Sequence, residues 1–234
     1  MKTASETYST AITDAKNYTG WIIDEFLPFF GRAVLEVGLG HGGYRAQLPE
    51  GLSYVGMDID PNAVGSARKQ YDTGRYFCAD ISDDNLHENL RGALVDSVLC
   101  VNVLEHIEDD VLAVSNMLNT LSGGGHLLLF VPAFNLLRND LDRLAGHHRR
   151  YRQRDLAAIV APLEAEIVVS KYLNPLGGLG WLVNGFRRYD SLQDTVINKQ
   201  IEIFDRFILP ISRLLNPVCA RWFGQSLLCV VRKL

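Results

Sequence analysis

A chain of 234 residues, 47% hydrophobic and 21% charged, is long enough to bury a sizeable core and has the composition of an ordinary globular protein. A net charge of −4 gives no global attraction to nucleic acid, and no uninterrupted apolar run reaches the roughly 18 to 20 residues of a membrane span. The N-terminal stretch lacks the apolar segment of a secretory signal, and Cys78, Cys100, Cys219 and Cys229 show no C-x-x-C pairing, so a cytoplasmic location, reduced buried thiols and no metal site are expected.

Short apolar runs alternate with helix-like stretches along the chain. Ala33–Val37 reads as a strand, and Tyr44–Leu48 fits a helix after the glycine-rich loop. Leu52–Met57 is a second strand. Pro61–Tyr71 reads as a helix, with Asp60 as N-cap and Pro61 at its first position. Arg75–Ala79 and Val95–Val101 are further strands, Asp109–Leu121 is a helix, and Gly123–Gly125 punctuate before a fifth strand, His126–Val131. This alternation predicts an α/β fold, with a parallel sheet and helices on both faces. Glu166–Tyr172 and Ser226–Arg232 read as late strands, and the roughly fifty residues between them are too many for a hairpin loop, so they must form an insertion with its own helices.

The run "VLEVGLGHGGY", residues 34 to 44, fits two nucleotide-binding patterns. Gly38, Gly40 and Gly43 spell G-x-G-x-x-G, the dinucleotide fingerprint. Glu36, Gly38, Gly40 and Gly42 spell E-x-G-x-G-x-G, which resembles motif I of class I S-adenosylmethionine methyltransferases. Asp58, twenty residues after Gly38 at the end of the second strand, suits a ribose hydroxyl under either pattern. Three features discriminate. Glu36 would repel a pyrophosphate but attract the ammonium end of S-adenosylmethionine. Asp80 in "FCADIS" ends the third strand, where a carboxylate accepts from an adenine amino group while Ile81 packs on the ring. "VLCVNVLEHIEDD" ends the fourth strand with Asn102 and starts a helix near Leu104–His106, which resembles motif IV of the same family.

The resemblance covers roughly residues 30 to 172. It implies a Rossmann-like seven-stranded sheet whose last strand, Ser226–Arg232, runs antiparallel between strands five and six. It also implies one domain: an N-terminal helical cap (1–30), a cofactor-binding core (31–172), a helical insertion (173–225) and the final strand (226–234). By resemblance, Gly38, Gly40 and Gly42 approach the methionine part of the cofactor, Asp58 binds ribose, Ile59 flanks adenine, Asp80 binds its amino group and Asn102 faces the sulfonium end. The N-terminal segment, with Tyr8, Tyr18 and Trp21, is placed by analogy over the cofactor. Two alternatives stand beside methyl transfer: an NAD-dependent oxidoreductase, which nicotinamide titration would expose, and a protein of this fold that binds S-adenosylmethionine without transferring its methyl.

The segment "DRLAGHHRRYRQRDL" follows the fifth strand and so leaves the sheet at its C-terminal edge. Gly146, His147, Arg149, Arg150 and Tyr151 resemble a G-H-x-R-R-Y signature of a bacterial branch of these methyltransferases linked to sugar, lipid or secondary-metabolite pathways. Methyl transfer needs its partners held in line, and a hydroxyl acceptor also has to lose a proton, which suits a neutral histidine. His147 is the first candidate and His106 the second. Arg149, Arg150 and Tyr151 are the candidate acceptor contacts, and guanidinium groups there imply an anionic or phosphate-bearing small molecule. A hydroxyl is favoured over nitrogen or carbon as the methyl acceptor.

In the insertion, Ile197, Ile201, Phe204, Ile208, Ile211 and Leu215 recur at helical spacing. That stripe is expected to pack over the sheet edge, with a lid, a homodimer face or a peripheral membrane contact as alternatives. Pro210 should kink or divide the helix.

Overall fold

The computed structural model describes residues 15–83, Leu86, Leu90, 95–185 and 195–234, with side chains of the last segment described from residue 199. Tyr8 and the side chain of Ile197 lie outside the described residues.

The elements in chain order are α1 (Lys16–Phe26), β1 (Ala33–Val37), β2 (Ser53–Asp58), α2 (Pro61–Gln70), β3 (Arg75–Cys78), β4 (Val95–Val101), α3 (Asp110–Thr120) and β5 (Leu121–Pro132). They continue as α4 (Asp140–Ala145), α5 (Gln153–Val160), β6 (Ala165–Leu173), α6 (Pro175–Asn184), α7 (Thr195–Ile203), a π-helical turn (Phe204–Ile208), α8 (Leu209–Cys219) and β7 (Ser226–Lys233). Among the described residues the strands form one seven-stranded sheet in the order β3-β2-β1-β4-β5-β7-β6. All pairings among strands β1 to β5 are parallel, and β7 is antiparallel to both its neighbours, as the resemblance implied.

Alternating side chains build the two faces of the core. Leu35, Val98 and Leu129 pack with Met117 of α3 and Leu156 of α5. Val34, Leu99 and Phe130 pack on the other face with Trp21 and Phe26 of α1 and Val64 of α2. Tyr18 and Trp21 thus serve the core: Trp21 is buried, and the Tyr18 ring meets Phe130 edge-on at 6.2 Å. Asp60 caps α2 by accepting from the Asn62 amide at 2.8 Å, and Asp109 caps α3 by accepting from the Leu112 amide.

Several expectations need correction. The segment Tyr44–Leu48 holds a single 3-10 turn, Arg45–Gln47, in place of a helix. Pro49 follows Leu48 and forces it into the extended region, with ψ at 150°, so the turn cannot propagate. The glycines at 123–125 lie inside β5, which starts at Leu121, beside an irregularity in the β4–β5 register. Cys78 is exposed, whereas Cys100 and Cys229 are buried; all four cysteines are free thiols, and burial pushes the Cys229 thiol up to about 12.

The insertion differs most. The chain does divide before Pro210, through the π-helical turn. However, the buried face carries Asp205, Leu209, Ser212 and Asn216, while Ile208, Ile211 and Leu215 of the predicted stripe are exposed. Polar partners decide this orientation. Asn174, buried at the start of α6, accepts from the Ser212 hydroxyl at 2.8 Å, and its amide donates to Asn216 Oδ1 at 3.0 Å. Asp205 accepts from the Asn17 and Tyr18 amides at the start of α1. Satisfied buried polar groups outrank the apolar pattern here because an unmade buried hydrogen bond costs about 1–3 kcal/mol each. No helix of the described residues is long and apolar enough to cross a membrane.

Candidate active site

The sheet order reverses between β1 and β4, the place where open α/β sheets bind ligands. A pocket of about 450 Å³ opens there. Its lining includes Gly38, Asp58, Ile59, Asp80, Ile81 and His106 of the expected residues. Glu36, Gly40, Gly42, Asn102 and His147 are not in that lining, although His106, Gly146 and His148 bring the segment beside His147 to its wall.

The loop after β1 is shaped by Gly38, Gly40 and Gly42, whose φ values are +75°, +49° and +74°. Gly43 has no positive φ, so the backbone follows the E-x-G-x-G-x-G spacing. Gly38 is the most constrained of the three: a Cβ there would fall 2.3 Å from Val103 Cγ2. The loop is tied down by Asp58, whose Oδ2 accepts from the Gly40 amide at 2.9 Å and whose Oδ1 accepts from the Asp60 amide at 2.9 Å. Burial raises the Asp58 carboxyl, and these amides pull it back. With no helix following the loop, a bound ligand would meet loop amides and carboxylates rather than a helix dipole.

Glu36 sits beneath the loop on β1, 2% exposed. Its Oε2 accepts from the Tyr54 hydroxyl at 2.6 Å, while among the described residues Oε1 has no hydrogen-bond partner. Burial pushes the carboxyl up to about 7, against the Tyr54 hydrogen bond and the charge of Arg45. Asp80 is half-buried, with Oδ1 accepting from the Ser82 amide. Ile81 is buried and Ile59 exposed. Asn102 follows β4 with φ +52°, a left-handed conformation, and its amide donates to Phe130 O at 2.8 Å.

The basic segment has a different arrangement from the one its composition suggests. Tyr151 bridges back to Ala133 at the end of β5, which carries residues 146–151 across the C-terminal edge of the sheet. Two carboxylates then take up the signature residues. Asp142, fully buried, accepts from Arg150 Nε at 2.7 Å and Nη2 at 3.0 Å, and lies 2.8 Å from His147 Nδ1. Asp110 accepts from the Tyr151 hydroxyl at 2.9 Å and pairs with Arg149 Nη1 at 2.8 Å. Arg149 and Arg150 also donate to the Glu108 and Ala133 carbonyls. Arg150 and Tyr151 are buried structural ties and Arg149 is already paired, so these residues are not presented to an acceptor as expected. Hydrogen bonds and Arg150 hold Asp142 below the usual carboxylate range despite its burial.

Inside this tie lies Glu105, whose backbone carbonyl accepts from the His148 amide at 2.8 Å. Its carboxyl is fully buried, and burial pushes it up to about 7. The His106 and His147 rings meet edge-on at 4.7 Å, and burial lowers His106 to about 3. Asp110, Asp142 and Glu105 were not singled out from the sequence. One signal existed for Asp142: it is the third helical residue after Asn139, and the two form a capping box.

Residues 35–129 match a family model described as a methyltransferase domain. An uncharacterised methyltransferase of Mycobacterium tuberculosis is 31% identical over 128 residues, covering 53% of this chain and 63% of that protein. The chain therefore spans about 63% of the length of the first curated relatives it matches. A ubiquinone biosynthesis O-methyltransferase of Vibrio cholerae is 24% identical over 173 residues, covering 66% of this chain and 70% of that one. Among solved structures, the N-methyltransferase NodS from Bradyrhizobium japonicum, in complex with S-adenosyl-L-homocysteine, superimposes with a TM-score of 0.55 at 16% identity, covering 92% of this chain and 85% of that one. The fold is thus the Rossmann-like fold of S-adenosylmethionine-dependent methyltransferases.

Proposed function

We propose that this chain is an S-adenosylmethionine-dependent methyltransferase that acts on a small-molecule acceptor, with a hydroxyl as the favoured methyl-accepting group. When bound, the cofactor supplies a methyl group already activated on a sulfonium. Glu36 carries the reading: a buried carboxylate oxygen without a hydrogen-bond partner among the described residues, beneath a loop of positive-φ glycines, is complementary to the ammonium of an amino-acid cofactor and hostile to a pyrophosphate. Gly38, Gly40 and Gly42 give backbone access to the methionine part. Asp58 and Asp80 present carboxylates for ribose and the adenine amino group, and Ile59 and Ile81 flank the ring from the pocket wall. Asn102 stands at the sulfonium end. At the acceptor end, His106 reaches the pocket, and His147, oriented by Asp142, stands edge-on against it outside the lining.

Calorimetric titration with S-adenosylmethionine tests the assignment, and its pH dependence tests the role of Glu36. Below pH 7 the Glu36 carboxyl is largely protonated and cannot pair with an ammonium. Affinity should rise about tenfold between pH 6 and 8, as the ionised fraction does for a group titrating near 7. Glu36→Gln should flatten this profile. Without ligand the linkage has the opposite sense: a carboxyl raised on folding costs stability as pH climbs from about 4.3 toward 7. Binding of NADH with no response to S-adenosylmethionine would overturn the assignment.

The exposed face of the insertion supports a lipid-linked acceptor reached at a membrane surface. Leu214 and Val218 are each 79% exposed, Trp222 is 72% exposed, and Phe207 and Ile211 join them on the outside. The exposed Arg206 and Arg221 lie over the Phe207 and Trp222 rings. Apolar side chains interleaved with arginines and a tryptophan fit an anionic lipid interface. The protein should float with phosphatidylglycerol vesicles and much less with phosphatidylcholine, and the Leu214→Glu/Val218→Glu variant should lose at least tenfold in bound fraction. Equal flotation of that variant, or a stable dimer that buries this face in solution, would refute the membrane contact.

A further inference from the structure

Glu105, His106 and His147 each offer a ligand atom, and these atoms all lie within 4.8 Å of one another. Glu105 is 0% exposed, and among the described residues its carboxylate oxygens have no hydrogen-bond partner beyond a contact with its own backbone amide. The nearest basic nitrogen is His147 Nε2, at 3.9 Å from Oε1, too far for a hydrogen bond. A buried carboxylate in that condition is unfavourable unless it takes up a proton or a cation completes it. Arg150 is not that cation, because its guanidinium is committed to Asp142 and to the Ala133 carbonyl.

The surroundings of the two imidazoles are those of metal ligands. His147 has Nδ1 held by Asp142 at 2.8 Å, so the ring is fixed with Nε2 turned toward Glu105. Asp142 is itself fixed by Arg150 and by the Asn139 amide at 3.0 Å. His106 donates from its ring to the backbone carbonyls of the Ala145–Gly146 turn. Carboxylate or carbonyl contacts of this kind orient ligating histidines and raise their affinity.

We propose that Glu105, His106 and His147 bind a divalent transition-metal ion of the zinc class at the acceptor end of the pocket, with Asp142 positioning His147. Two imidazoles and one carboxylate suit zinc, cobalt or manganese better than magnesium, which prefers oxygen ligands and retains its waters. Three protein ligands leave a coordination position open, and His106, with Gly146 and His148, lines the pocket and so puts the site at its wall. An acceptor hydroxyl bound there is acidified: its O–H bond breaks, the electron pair stays on oxygen and the proton leaves to solvent. This role rests on the methyl-transfer reading, whereas the metal site itself does not.

The test uses the full chain, stripped with chelator and reloaded with Zn²⁺ or Co²⁺. About one equivalent of Zn²⁺ per chain should survive gel filtration, and Co²⁺ should show the d–d absorption of a site of low coordination number. Glu105→Gln and His147→Ala should each lose at least tenfold in metal affinity, and Asp142→Asn about 10- to 100-fold. Circular dichroism on the isosteric Glu105→Gln variant shows whether the fold survives. Folded Glu105→Gln or His147→Ala with wild-type metal affinity, or a wild-type protein that retains no metal, would overturn the proposal. S-adenosylmethionine titration of the same samples separates the two readings. Metal retained without cofactor binding defeats methyl transfer alone, and cofactor bound without metal defeats this site alone.

Discussion

Asp142→Ala is expected to destabilise the folded chain by about 3–5 kcal/mol, because it strands the Arg150 charge in the interior. Asp142 is fully buried and has four donors on its two oxygens: Arg150 Nε, Arg150 Nη2, His147 Nδ1 and the Asn139 amide. Removing it leaves the guanidinium with the Ala133 carbonyl at 3.1 Å and the face of Trp181, whose centroid lies 5.5 Å away. Neither neutralises a buried cation. In a domain of this size the loss corresponds to a fall in Tm on the order of 10 °C. Adding Arg150→Met should recover more than half of it, since a buried ion pair can often be replaced by apolar packing at little net cost. Denaturant titration of both variants is the measurement. A loss below about 1 kcal/mol for Asp142→Ala would show that water reaches Arg150 and that the tie is not a buried one.

Gly38→Val should abolish cofactor binding, by at least 100-fold, and also cost stability. The new side chain meets two separate penalties. Its backbone must hold φ at +75°, where a β-branched residue is a genuine outlier, and its Cβ would lie 2.3 Å from Val103 Cγ2. Left-handed strain of about 1–2 kcal/mol and overpacking of about 1–3 kcal/mol have no cheap joint relief, because Val103 follows Asn102, itself held at φ +52°. The loop should therefore move, and with it the Gly40 amide that anchors to Asp58. Gly40→Ala is the contrasting variant: its φ is +49°, but the nearest atom to a Cβ is Gly38 O at 4.0 Å. It should lose only the left-handed strain of about 1–2 kcal/mol, with no clash to add, and a loss of binding larger than that reports space needed by the ligand. Wild-type affinity in Gly38→Val would remove the loop from the binding site.

The sequence determined whatever depends on neighbours along the chain. The alternation of strands and helices, the Asp60 cap and the glycine spacing before Asp58 follow from side-chain periodicity, from local capping and from backbone conformations open chiefly to glycine, while the antiparallel setting of the last strand was legible only through the family resemblance. Pro49 also carried a local signal against the short helix expected over Tyr44–Leu48. What the tertiary structure decided is which charges and polar groups meet. Composition presented Arg149, Arg150 and Tyr151 as a surface for an anion, but folding brings Asp110 and Asp142 to them. The apolar period of the last long helices marked one face for burial, yet Asn174, distant in sequence, turns Ser212 and Asn216 inward and leaves Ile208, Ile211 and Leu215 of that stripe outside. In both cases the reason is the same. Apolar burial is roughly proportional to area and tolerates many orientations, whereas a desolvated charge or amide must find a specific partner, and only the closed chain supplies it.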